Sequence, residues 1–414
     1  PSYFFHLSQK GNMPKAEEML AALVIKTSSL RTGPWSMKLF YLCFFGYVGI
    51  TTAYLGLYLG AIGLNGTQIG VIASILSLAG AVMQPVWGSI SDRYGWRKHL
   101  LACTILIATL TALTIPLAHS FTALLIPTIV FAVALSPASP LADAITLQWV
   151  SEHSGSYGAV RVYGTLGFLL VALIAGIFLA SKGILNMFFL LSLMLGCTFV
   201  VSLTVPSQTK MKTLQVKGGG AHIILHDRVL VLFLLFCAIG YSTFQAYDTF
   251  FGLYLHGLGA GTGMVGLAIG LAGLCELPAM ALAGRIMRRL GVKRFLLLGW
   301  GIAVIRWLAY AAIPNPNLAL IFQTLHGLSF TAFYVASLTF IDRRVPPHLR
   351  TTGQTLFYGA TFGLGSWAGA IFFGMLYDYL NIRGMFLIAG LVCAIALGGL
   401  LLVTPSEDTA FDSS

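Results

Sequence analysis

Twelve long apolar runs constrain this chain more than any other feature. They lie near residues 38–60, 67–90, 98–118, 121–147, 160–181 and 184–205, then 229–256, 262–284, 294–313, 317–341, 354–377 and 383–404. Crossing a bilayer core takes about 20 apolar residues in a helix. The runs are continuously apolar rather than alternating, and lipid offers no partner to an unpaired backbone group, so helices are expected and a β-barrel is not. Composition agrees. Hydrophobic residues make up 57% of the 414, and Gly 46 raises the apolar share to about two-thirds, against about 45–50% for soluble domains. Charged residues amount to only 9%, too few to cover a water-soluble body, and too few for a coiled coil or a disordered chain. The predicted fold class is an all-α membrane protein.

The net charge of +11 does not point to nucleic acid, because the basic residues sit in short loops between the runs. Of the 24 Lys and Arg, 21 fall on the side of the N-terminus, two (Lys182, Arg383) on the other, and one (Arg306) inside a run. This bias predicts cytoplasmic termini and a multi-pass protein of the cell membrane, with the bacterial inner membrane as the expected location. Residues 1–37 are expected to form an N-terminal cytoplasmic extension. They lack the long apolar core of a signal peptide, and Met37 reads like a natural start. Residues 38–205 form one predicted six-helix bundle and 229–404 a second. Polar, glycine-containing residues 206–228 read as a cytoplasmic linker, and 405–414 as a cytoplasmic tail. The six cysteines all lie in apolar segments and read as packing residues.

The two predicted bundles repeat. GLYLGAIGL at Gly56–Leu64 parallels GLYLHGLGA at Gly252–Ala260, an offset of 196. Gly88, Arg93, Gly95, Arg97 and Lys98 match Gly284, Arg289, Gly291, Lys293 and Arg294 at the same offset, and Gly158, Tyr163 and Gly164 match Gly353, Tyr358 and Gly359 at 195. An even number of spans per repeat preserves orientation, so the halves should be related by an axis along the membrane normal, with a central cavity between them.

GSISDRYGWRK at Gly88–Lys98 resembles the loop between the second and third helices of the major facilitator superfamily. Its chemistry suits a gating loop. Gly88 would let helices approach closely, Asp92 would pair with a cation or helix N-terminus across the bundle interface, and Arg93, Arg97 and Lys98, with Gly95 at the turn, would hold the loop in the cytoplasm. An ordinary basic turn is the plainer reading. Arg288 stands where Asp92 would repeat in the second half.

SPASPLADAITLQW (Ser136–Trp149), YGAVRVYGTLGF (Tyr157–Phe168), CELP with Glu276, AVIRW with Arg306 and QTLHGLSF with His326 are similar to segments of one group in that superfamily. It contains the lactose, nucleoside and phenylpropionic acid permeases. The first run points most toward the last of these, and the resemblance covers residues 38–404. It implies twelve helices in two pseudo-symmetric six-helix bundles, and substrate binding by Asp143 with Arg161, with Phe168 as a stacking ring. One departure is that Ser329 occupies the place where the lactose permease has a proton-carrying glutamate.

Read by themselves, Asp143 is also a plausible helix-end acid and Arg161 a snorkelling cation. An uncompensated ion at mid-helix costs about 2.5–3.5 kcal/mol, so Glu276, Arg306 and His326 each need a partner or a function. Glu276 continues a small-residue face of Gly266, Gly270 and Gly273, and so faces either a tight helix contact or the cavity. Arg306 needs a carboxylate, with Glu276 itself as the structural pair, or a substrate anion. Gln323, His326 and Ser329 form a polar stripe, of which Gln323 and His326 are expected to bind substrate. Glu276 is the expected proton carrier, held near Arg306 and His326, and Asp248 is the reserve candidate. Glu276 is also expected at the substrate. No phosphate-binding loop, metal cluster or nucleophile triad is evident, so no enzyme activity, metal or cofactor is expected beyond the proton as coupling ion. The expectation is a monomeric proton-coupled symporter of a sugar, nucleoside or aromatic carboxylate, its partners being solute, protons and lipid. A proton-coupled exporter is the alternative within transport, and a non-transporting receptor or polytopic enzyme lies outside it.

Overall fold

The computed structural model describes residues 35–118, 120–153, 155–206 and 221–404. The extension up to residue 34, most of the linker and the tail from residue 405 lie outside the described residues.

The described chain is helical almost throughout. In the first half α1 is Trp35–Ala61, α2 Gly66–Tyr94, α3 Arg97–Thr114, α5 Tyr157–Lys182 and α6 Met187–Ser202. The span α4 comes in two pieces, Phe121–Leu135 and Ala138–His153. Pro137 sits at the break, where a proline can donate no helical hydrogen bond. After a short helix at Ala221–His226, the second half has α7 at Arg228–Gly257, α8 at Thr262–Leu290 and α9 at Val292–Ala312. Its α10 is likewise broken, into Pro316–Gln323 and His326–Arg344.

Among the described residues eleven runs are long and apolar enough to cross a membrane, and the last, Pro347–Val403, has 57 residues. At 1.5 Å per residue it would reach about twice the thickness of a membrane, so it must fold back. It does so at Asn381, whose φ of 61° ends one helix while its side chain accepts from the amides of Arg383 and Gly384 to start the next. The result is α11, from Arg350 through a π-helical stretch at Gly359–Gly365 to residue 380, and α12 at 382–403. Twelve spans are therefore present among the described residues, as the apolar runs predict.

Both halves use the same packing. The first helix of each lies against the fifth through glycine: a Cβ on Gly167 would strike the Leu42 carbonyl, and one on Gly369 the Ser242 carbonyl. Between halves the contacts run α2 to α11, α5 to α8 and α1 to α7. At the end away from the linker these seams are tight. Gly56 abuts the Thr249 carbonyl, Gly252 the Ala53 carbonyl and Gly70 the Ala370 carbonyl. The Tyr54 hydroxyl ties α1 to α5 and α8 by donating to the carbonyls of Ala172 (2.8 Å) and Thr262 (3.3 Å). Toward the linker side the seam loosens, and Gln84 on α2 and Tyr358 on α11 are exposed.

Candidate functional site

A cavity of about 350 Å³ lies between the halves, enclosed by α1, α2 and α5 on one side and α7, α8 and α10 on the other. Thr51, Thr52, Ser77 and Phe168 line it from the first half, while Gln245, Asp248, Glu276 and His326 line it from the second. Rings of Tyr241, Phe244 and Phe330 complete the wall. Among the described residues, no lysine or arginine lines it.

Local sequence explains how Glu276 reaches this space. Gly266 and Gly270 bring α8 against Ala172 and Leu169 of α5, and Gly273 touches the Phe168 ring. One helical turn further along the same face, beyond the contact, Glu276 opens into the cavity. Both alternatives read from the sequence are thus realised on one stripe, the glycines packing and the acid facing the solute space. The nearby cation whose field acts on Glu276 is Arg161 of α5, from the opposite half. This corrects the expectation that Arg306 holds Glu276.

Arg306 is 0% exposed and forms no ion pair among the described residues. Its guanidinium donates to Ser329 Oγ (3.2 Å) and Gln323 Oε1 (3.3 Å) and lies over the rings of Trp307 (4.8 Å), Tyr247 (5.2 Å) and Tyr310 (5.8 Å). Gln323 in turn accepts from the Tyr310 hydroxyl (2.7 Å) and donates to that of Tyr247. Neutral acceptors and ring faces replace a counter-ion here. Ser329 thus meets the arginine with a hydroxyl at the place the lactose permease resemblance would fill with a carboxylate. Gln323 is fully buried behind the cavity wall, where it accepts from Arg306 rather than facing the open space. The carboxylate on which Arg306 acts at a distance is Asp248, which does line the cavity.

The break in α10 between Gln323 and His326 separates these roles, leaving the first behind the wall and the second on it. The His326 ring stacks on Phe330, centroids 6.0 Å apart, and lies 5.3 Å from Tyr247, while its Nδ1 has no hydrogen-bond partner. That nitrogen is itself buried, so the ring borders the cavity without presenting Nδ1 to it.

Asp143 and Arg161 do not form a pair. Asp143 accepts from the hydroxyls of Tyr41 (2.5 Å) and Tyr157 (3.0 Å) and from Ser139 Oγ (3.4 Å). Arg161 stacks over Phe45 (3.8 Å) and Tyr41 (5.4 Å). Neither is among the described residues that line the central cavity. Tyr41 and Tyr157 were not singled out in the sequence. The signal available was Tyr157, one turn before Arg161 on the same helix.

At the loop between α2 and α3, Asp92 pairs with Arg97 at 2.8 Å, not across the interface. Gly95, with φ of 68°, closes α2 by donating to the Ser91 carbonyl, and Arg93 lies over the Tyr94 ring. Lys98 is half-buried in the first turn of α3. A Cβ on Gly88 would meet open space, which corrects its expected role in close helix approach.

Residues 34–388 match the model of the MFS_1 like family. The chain belongs to that family, within the major facilitator superfamily. It is similar to a maltose permease of Geobacillus stearothermophilus, 29% identical over 90% of this chain and 95% of the relative. It is also similar to a probable 3-phenylpropionic acid transporter of Escherichia coli K12, 26% identical over 89% of this chain and 97% of the relative. The crystal structure of the nucleoside transporter NupG shares the fold, with a TM-score of 0.83 at 16% identity over 90% of this chain and 99% of that one. The protein is therefore a multi-pass secondary transporter of the major facilitator fold, and not an enzyme.

Proposed function

We propose that this transporter carries out proton-coupled symport of a neutral, hydroxyl-rich solute, a sugar or a nucleoside, into the cell by alternating access. The observation that carries this reading is the character of the cavity wall, with two carboxylates, one imidazole and no lysine or arginine. In a partly desolvated space like charges repel strongly, so a solute carboxylate beside Asp248 and Glu276 is disfavoured. Sugar and ribose hydroxyls both donate and accept, which suits carboxylates together with Thr51, Thr52 and Gln245, and the flanking rings suit the flat face of a sugar or base. Similarity to a maltose permease supports the same solute class.

Uphill symport needs a group that changes protonation, and a permanently charged arginine cannot be that group. Glu276 is the proton carrier in this reading, because it lines the cavity and feels a cation from the other half, whose distance changes as the halves rock. Asp248 stands second. The protein works as a monomer in the cell membrane, with its termini and linker in the cytoplasm. In this orientation the tight end faces outward and the cavity belongs to the inward-accessible state. The gating loop then latches the cytoplasmic side when the cavity faces out.

A thermal-shift screen tests the solute class, since a ligand bound only by the folded state raises its melting temperature. Maltose, other disaccharides or nucleosides are expected to raise it, and 3-phenylpropionate is not. A shift with the acid alone would reverse the assignment. Energised vesicles test direction. Uptake driven by an inward proton gradient is expected, whereas outward pumping would make the protein an exporter.

A further inference from the structure

We propose that Asp378, near the end of α11, is the latch that holds the side away from the linker closed, by capping the start of α2 from the opposite half. The inference rests on the alternating-access reading and adds to it a residue that the sequence did not single out.

The first amides of a helix have no partner within it. At α2 all four are satisfied, in two ways. Asn65 and Gln68 form a capping box, the Gln68 amide donating to Asn65 Oδ1 (2.9 Å) and the Asn65 amide to Gln68 Oε1 (3.2 Å). The two amides between them turn to α11: Gly66 N–H donates to Asp378 Oδ1 (2.5 Å) and Thr67 N–H to Oδ2 (2.8 Å). The Thr67 hydroxyl adds a third bond to Oδ2 at 2.6 Å. Both carboxylate oxygens are thus engaged, at the positive end of the α2 dipole, where an anion is favoured.

Close backbone approach makes this reach possible. A Cβ on Gly66 would strike Gly374 and the Asp378 carboxylate, and one on Gly374 would strike the Gly66 carbonyl. The pseudo-equivalent seam, α5 to α8, lacks such a device. Gly183 occupies the place of Asp378 at the repeat offset of 195, and the start of α8 has Gly261 with no side-chain cap. There Thr262 donates its hydroxyl to the Gly176 carbonyl instead. One of the two seams therefore carries a charge-assisted clasp, and the other only neutral bonds.

Asp378 is exposed, so when the seam parts, water takes over both the carboxylate and the amides. The clasp biases the closed state without making it irreversible, as a transport cycle requires. Asp378→Asn keeps the shape but can accept through one atom only, and turns an N–H₂ toward the second amide.

The test places spin labels at Leu185→Cys and His256→Cys, which flank the far side in opposite halves, after replacement of the six native cysteines. The measurement is the population of short and long inter-label distances in lipid nanodiscs. Asp378→Asn is expected to raise the ratio of long to short distances about five- to tenfold, and Thr67→Val less, in the same direction. Asp378→Glu, which keeps the carboxylate, is expected to recover much of the original ratio. An unchanged ratio for Asp378→Asn, in a parent that populates both distances, overturns the latch while leaving alternating access standing. A single distance in every variant, with or without a proton gradient, overturns alternating access and the latch with it. Should Asp378→Asn fail to fold, Thr67→Val alone decides, and an unchanged ratio there also overturns the proposal.

Discussion

The two halves arise from one repeat, yet they furnish the cavity differently. The first half contributes hydroxyls and a ring, Thr51, Thr52, Ser77 and Phe168, while every titratable lining group, Tyr241, Asp248, Glu276 and His326, comes from the second. The two intramembrane arginines differ in the same sense. Arg161 of the first half is half-buried, stacked on Phe45 and Tyr41, and acts across the interface on Glu276. Arg306 of the second is fully buried, held by Gln323, Ser329 and three rings, and acts within its own half on Asp248. One cation thus acts across the halves, and the other within its own half. A duplicated scaffold can separate recognition from proton handling in this way, because cavity-facing positions in each half are free to diverge while the packing glycines are not.

The largest expected effect tests whether proton handling resides in the second half alone. Glu276→Gln removes titration and keeps shape, so concentrative uptake in proteoliposomes should vanish while solute counterflow, which needs no net proton movement, persists. Normal pH-driven accumulation in that variant would pass the role to Asp248. The contrast between the arginines sharpens with lysine replacements. Arg306→Lys cannot reproduce the two hydrogen bonds and three ring contacts of this fully buried site, and should lower initial uptake about tenfold or more. Arg161→Lys, in a half-buried position, should lower it less. The reverse order would mean that the cross-half cation matters more than the wall.

A smaller effect concerns Asp143. Since it is bound by Tyr41 and Tyr157 rather than by Arg161, Asp143→Asn should destabilise by about 1–2 kcal/mol with solute affinity nearly unchanged. In a double-mutant cycle on thermal stability with Arg161→Ala, the two effects should add to within about 0.5 kcal/mol. A larger coupling would restore the pair.

The smallest effect lies at the linker side of the second half. Asp227 caps α7 through the amides of Val229 and Leu230, and accepts from Arg344 at 2.5 and 2.9 Å. Partial burial pushes its carboxyl up, but the Arg344 bonds and the two amides outweigh this and hold it below the usual carboxylate range. Its contribution to stability is therefore complete above the ordinary carboxylate value, and is lost as pH falls through the lowered one. Melting temperature measured against pH should fall less steeply below about pH 4 in Asp227→Asn than in the parent. Equal slopes would mean that the pair contributes nothing, as is common for exposed ion pairs.

Sequence by itself determined the number of spans, their division into two repeats, and which ionisable groups had to be explained, because hydropathy sums over consecutive residues and each span carries its own apolar signal. Even the turn at Asn381, which joins two spans into one continuous helical run, was legible as a gap between runs. Partnership among the polar residues was not. Gly88 and Gly66 look alike in sequence, yet one faces open space and the other a neighbouring backbone. Asp143 meets Tyr41 across 102 residues, and Asp378 meets Gly66 across 312. Each residue turns a helix by about 100°, so small differences in rotation and offset between distant helices decide which side chain meets which. That alone sent Glu276 toward Arg161 rather than Arg306, put Gln323 behind the wall, and made a clasp of Asp378 at one seam where the repeat has glycine at the other.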